Sequence, residues 1–134
     1  MNTRILMTVT AIIVLLVGMA LSFMPDELLQ YAGLENTKAF QLILQILGAL
    51  YFAFGVLDWM TKTNRIGGIY NRPMAVANSA HFIIAGLALL KGVISNPELP
   101  SLLWAAAVIY LILALCFGFL LFWHPLKEEK AAYS

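Results

Sequence analysis

The chain has 134 residues, 62% of them hydrophobic and 11% charged, with a formal net charge of +1. An average soluble domain is about 45–50% apolar and about 25% charged, so this composition, with a mean hydropathy of +0.87, points to a membrane protein and excludes a soluble enzyme or a secreted disulfide scaffold. The eight Lys and Arg are scattered in ones and twos, which leaves no basic face for a phosphate backbone and excludes nucleic acid as a partner.

Four apolar runs follow one another along the chain. The first, about 5–24, comes after a short head carrying Arg4. It is long for a signal-peptide core and no A-x-A-like site precedes Pro25, so it reads as a retained helix. Pro25-Asp26-Glu27 stops the run and suits the first turn of a short new helix, where a proline and two acids are favourable. Leu28, Leu29 and Tyr31 would lie along the interface, and Gly33 would end that helix. Asn36 or Thr37 caps the second run, about 39–60, which carries Gln41, Gln45 and, at its far end, Asp58-Trp59. The polar segment 61–73 holds Lys62, Arg65 and Arg72 around a Gly67-Gly68 turn. A third run, about 74–94, breaks at Ser95-Asn96-Pro97. Ser101 caps the fourth, about 102–123, which His124-Pro125 ends.

Each run holds about 20–22 residues, which at 1.5 Å per residue matches a hydrocarbon core of roughly 30 Å. Continuous apolar runs lack the period-2 alternation of barrel strands, so the spans are helical. Short connections make sequential neighbours antiparallel, and the expected fold is all-α: a single four-span transmembrane domain over 1–134, an up-down-up-down bundle. Arg4, Lys62, Arg65, Arg72, Lys127 and Lys130 fall on one side, against Lys38 and a snorkelling Lys91 on the other. This asymmetry places both termini in the cytoplasm. Trp59 and Trp123 would mark the inner interface and Trp104 the outer one.

Polar groups inside spans are the informative ones, because each costs free energy unless it meets a partner or water. Counted from the inner ends, Asp58, Asn78, His81 and Thr8 fall at depths of about 3 to 10 Å, in one layer. Asn78 and His81 are three residues apart and share a helix face. An acid, an amide and an imidazole beneath a basic loop fit a proton relay, a small-ligand pocket or, at Lys62, Arg65 and Arg72, a site for an anionic lipid headgroup. They equally fit plain packing, with Asp58 paired to Lys62 or Arg72 and with Asn78 and His81 as interhelical hydrogen-bond glue. Near the outer surface, Gln45 is within reach of Tyr110 for a hydrogen bond, which would make either a polar pocket or a tie between helices. One deep histidine, one interfacial His124 and the lone Cys116 have no metal-ligand spacing, so no metal and no other cofactor is expected.

Small residues, Gly48, Ala49, Ala53 and Gly55 among them, place the second span at the centre of the bundle. No Cys-x-x-Cys, H-E-x-x-H, G-x-S-x-G or P-loop is present. Broken spans and an inverted repeat, the usual marks of a transporter, are absent as well.

The segments GALYFAFGVLDWM and NSAHFIIAGLALLKG, through Gly48-Ala49-Leu50, Gly55 and Gly86-Leu87-Ala88, resemble the DoxX-like small four-helix inner-membrane proteins over about one third of the chain. The resemblance implies a four-span bundle, often an accessory subunit, and carries no catalytic residue. The expected function is that of a non-enzymatic accessory subunit in a bacterial cytoplasmic membrane, with lipids and other transmembrane helices, in homo- or hetero-oligomers, as partners. The alternative is a membrane enzyme or a small-ligand or proton pathway centred on His81, Asp58 and Asn78.

Overall fold

In apolar runs of this length the peptide groups have no water to bond, and the α-helix closes their hydrogen bonds within each segment. The computed structural model describes residues 3–63 and 72–123. It contains α1 (Thr3–Phe23), α2 (Pro25–Tyr31), α3 (Lys38–Thr61), α4 (Arg72–Ser95) and α5 (Ser101–Trp123). Helices α1, α3, α4 and α5 are long and apolar enough to cross a membrane. The protein is therefore a small, all-helical, multi-pass membrane protein, and the four spans begin and end within two residues of the ranges expected.

Local chemistry explains the helix ends. Pro25 opens α2 with Asp26 and Glu27 in its first turn, where missing or unused N–H groups and the helix dipole suit them. Gly33 follows α2 at φ +68°. Its N–H donates to the Gln30 carbonyl at 3.1 Å, and Leu34 N–H donates to that of Leu29 at 2.9 Å, the paired bonds of a Schellman cap that a glycine accommodates without strain. Thr37, rather than Asn36, caps α3: its Oγ1 accepts from Phe40 N at 3.3 Å. Asn36 instead accepts at Oδ1 from Gln41 Nε2 at 2.6 Å. Ser101 was expected as the cap of the last span but is its first helical residue. Leu103 N–H donates to the Pro100 carbonyl at 2.9 Å, so the turn starts one residue earlier.

The chain divides into two compact units, Met1–Asn64 and Arg65–Ser134. In the first, α1 packs along α3, and α2 touches both. Their backbones approach closely at glycines. A Cβ added at Gly48 would lie 2.7 Å from Ser22 N and 2.8 Å from Gly18 O, and one added at Gly18 would lie 2.9 Å from Gly48 O. Further along, Gly55 faces Leu15. The partner position on α1 falls as the position on α3 rises, so the two helices run antiparallel. In the second unit, α4 and α5 are joined by residues 96–100. Gly86 lies against Leu111, and Phe82 stacks on Phe117 with ring centroids 5.8 Å apart, which makes this pair antiparallel too.

On the second span, Gly48 and Gly55 face α1. Its buried residues are Gly48, Gly55 and Asp58. Small residues report that one neighbour comes close, and here that neighbour is α1; they do not report how many neighbours there are.

The glycines predict opposite outcomes for one chemical change. Gly48→Ala forces α1 and α3 apart and lowers stability by about 1–3 kcal/mol. Gly92, in α4, has nothing within 4 Å of an added Cβ, so Gly92→Ala is neutral or stabilises by up to about 1 kcal/mol through helix propensity. Denaturant titration of both variants in mixed micelles, followed by helical circular dichroism, checks the two signs.

Candidate functional site

In the first unit the polar side chains of the spans separate by rotation around their helices. Thr8 turns its hydroxyl back to its own helix, donating to the Arg4 carbonyl at 2.7 Å. Thr10 lies on the stripe of Leu6, Met7 and Val14 and is 0% exposed, and its hydroxyl makes no hydrogen bond among the described residues. Asp58 on α3 is also 0% exposed. The Ser22/Gly48 and Leu15/Gly55 pairings set Asp58 opposite Ile12, so Thr10 stands only about 3 Å away along the helix axis.

One turn beyond Asp58, α3 ends in a basic and aromatic rim. Lys62 Nζ lies over the Trp59 ring, 2.8 Å from its centroid, a cation–π arrangement suited to an interface. Desolvation of the ammonium, and secondarily the charge of Arg4, lower the Lys62 pKa from the ordinary lysine value. Thr61 closes the helix, its hydroxyl donating to the Leu57 carbonyl at 2.8 Å.

In the second unit the expected residues join an aromatic cluster. Asn78 is 0% exposed, and its Nδ2 donates to the Met74 carbonyl one turn back at 3.1 Å. His81, half-buried, sits edge-on to Phe82 at 5.0 Å and 5.7 Å from the Tyr110 ring. Phe82 packs in a T-shape against Tyr110 at 5.2 Å. Such pairs contribute about 0.5–1.5 kcal/mol each beyond their buried area. The cluster thus fixes one edge of the imidazole and the ring of Tyr110 in a common apolar setting.

Gln45 lies on α3 in the first unit and Tyr110, buried, on α5 in the second. Arg72 is exposed at the start of α4. Arg65, the Gly67-Gly68 turn and His124 lie outside the described residues. Among the described residues no three of His, Cys, Asp and Glu come together. Sequence reasoning passed over Phe82 and Phe117, both 0% exposed, because nothing marks a phenylalanine in an apolar run; Phe82 shares its face of α4 with Ala75 and Gly86, and Phe117 meets it from α5. An apolar groove of about 670 Å³ between α4 and α5, lined by Ile83, Leu87, Leu111, Leu115 and Phe122, presents no polar side chain.

Comparison with protein-family models, with curated proteins and with solved structures returns no match.

Truncating the centre of the cluster, Phe82→Ala, costs on the order of 3–5 kcal/mol, whereas Phe82→Leu costs much less. The same titration in micelles reads the difference; a Phe82→Leu variant as stable as the parent would mean that the ring contacts carry no weight, and a loss equal to that of Phe82→Ala would mean that they carry nearly all of it.

Proposed function

We propose that this protein is a non-enzymatic, helix-binding subunit of a bacterial cytoplasmic membrane. The carrying observation is that Thr10, Asp58 and Asn78, the polar side chains deepest in the spans, are each 0% exposed. Polar groups buried between spans act as hydrogen-bond ties that fix which helix faces meet. What remains exposed on the spans is almost wholly apolar, and the partners such a surface meets are lipid chains and other helices. In this reading the spans run up-down-up-down with both termini in the cytoplasm, following the bias of Arg4, Lys62, Arg65, Arg72, Lys127 and Lys130. Lys62, Arg65 and Arg72 then face anionic headgroups, an attraction that weakens as salt shortens the screening length. The resemblance to DoxX-like bundles points to the same kind of accessory role.

Copurification tests it. The tagged full chain, extracted in a mild detergent, emerges in a discrete assembly, either with another membrane polypeptide or as an oligomer. Emergence alone and monomeric overturns the proposal. A reporter fused to the tail gives a signal only if it is one that works in the cytoplasm.

The second reading, a ligand or proton pathway centred on His81, is favoured by one observation: His81 is only half-buried, between Phe82 and Tyr110. It requires water at the imidazole. In a His124→Gln background, which leaves His81 as the single histidine, diethyl pyrocarbonate modifies His81 rapidly if such a path exists; protection of the ring rejects it.

A further inference from the structure

The seam along which α1 meets α3 ends in two cations. Contacts at Leu15, Gly18 and Ser22 on α1 and at Gly48, Phe52 and Gly55 on α3 define that seam. Steps of three and four residues carry the first stripe back through Ala11 and Thr8 to Arg4, and the second forward through Trp59 to Lys62. The pairing of Leu15 with Gly55 sets Ala11 level with Trp59 and Thr8 level with Lys62, with Arg4 one turn, about 6 Å, further out. Both cations therefore close the same end of one helix pair, and all of these residues belong to the first unit.

The seam supplies no acid at that end. Residues 3–25 and 59–63 include no Asp or Glu. Asp58, the acid nearest in sequence, is fully buried, and the Lys62 ammonium lies instead over the Trp59 ring, 2.8 Å from its centroid, with no ion pair among the described residues. After desolvation, the charge of Arg4 is what makes the Lys62 proton easier to lose. Arg4 also stands in the first turn of α1, at the positive end of the helix dipole, where a cation is disfavoured.

We infer that Arg4 and Lys62, with the Trp59 ring beside them, form a discrete site for one phosphate group, that of an anionic phospholipid headgroup. A phosphate takes both cations at once, the guanidinium as a planar fork and the ammonium as a point charge, and it offsets the repulsion between them. The source of the phosphate follows from depth. Helices α1 and α3 are long and apolar enough to cross a membrane. Arg4 is the second residue of one and Lys62 is the first residue past the other, so a phosphate between them lies at headgroup level, where an amphipathic indole is also at home. This deepens the headgroup contact given above for Lys62 and rests on it: in place of a diffuse attraction over Lys62, Arg65 and Arg72, one lipid is held between Arg4 and Lys62.

The test uses the full chain with Trp104→Phe and Trp123→Phe, which leaves Trp59 as the single tryptophan, in phosphatidylcholine vesicles that contain brominated phosphatidylglycerol or brominated phosphatidylcholine. Quenching of Trp59 reads the relative binding constant of the two lipids. The anionic lipid binds about tenfold more tightly. Arg4→Gln and Lys62→Gln each lower that preference about fivefold, whereas Arg72→Gln, which removes the same charge elsewhere, leaves it within about twofold. A preference that Arg72→Gln lowers as far as Arg4→Gln does overturns the paired site and leaves the diffuse contact standing; equal quenching by the two lipids overturns both. Displacement of the brominated anionic lipid by inorganic phosphate at matched ionic strength assigns the pair to a soluble phosphate and overturns the lipid. The subunit role is decided by copurification, independently of these results.

Discussion

Within hydrocarbon a peptide group has only other protein atoms to bond, and from that constraint the remaining features of this chain descend. It makes every long apolar run a helix and concentrates the departures at helix ends, where Gly33, Thr37 and Pro25 meet groups that a helix cannot satisfy itself. It also changes what holds helices together. Lipid tails are as apolar as leucine, so bringing two spans together removes no apolar surface from water, and the attraction has to come from close packing and hydrogen bonds. Gly18 and Gly48 answer that requirement: with no Cβ on either, the backbones of α1 and α3 meet directly and gain the short-range contacts that bulkier residues would forbid.

Run length and turn chemistry were legible because the physics acts locally. Each apolar run is bounded by residues that either break a helix or cap it, and the helices end within two residues of those marks. The departures are also local. Ser101 resembles a cap by type, yet Pro100 already supplies the carbonyl that Leu103 uses, and the hydroxyl is drawn into the first turn. The placement of the second span is a different matter. A small residue on a helix signals contact on its own side only, and Gly48 and Gly55 both point to α1, so their number says nothing about the other faces of α3. Arrangement beyond the helix pair depends on which faces meet, and four stretches of Leu, Ile, Phe and Val carry little information about that.

The polar residues divide along the same line. Asp58 and Asn78 stood out because a carboxylate or a carboxamide in an apolar run demands burial or a partner, and both are fully buried. Thr8 and Thr10 are identical in type and two residues apart, so composition cannot rank them. Rotation does: at 100° per residue they point some 200° apart, one folding back on Arg4, the other entering the packed stripe. The aromatic cluster was invisible for the opposite reason, since phenylalanine raises no demand that the sequence would betray. His81 was legible as a residue out of place, but its setting is made by Phe82 and Tyr110 on two different helices.

A membrane protein's partners are harder to read from its surface than a soluble protein's. In water an exposed apolar patch announces an interface, because leaving it wet costs free energy. In lipid the same patch is at rest, which is why the groove between α4 and α5 and the bare leucines of α3 argue for nothing in particular. The informative surface is the polar one. A buried amide such as Asn78 is answered within its own helix by the Met74 carbonyl, and Gln41 is answered at the interface by Asn36 and Lys38. In a medium that forgives every hydrocarbon contact, a polar group's demand for a bond carries more information about packing than the apolar side chains beside it.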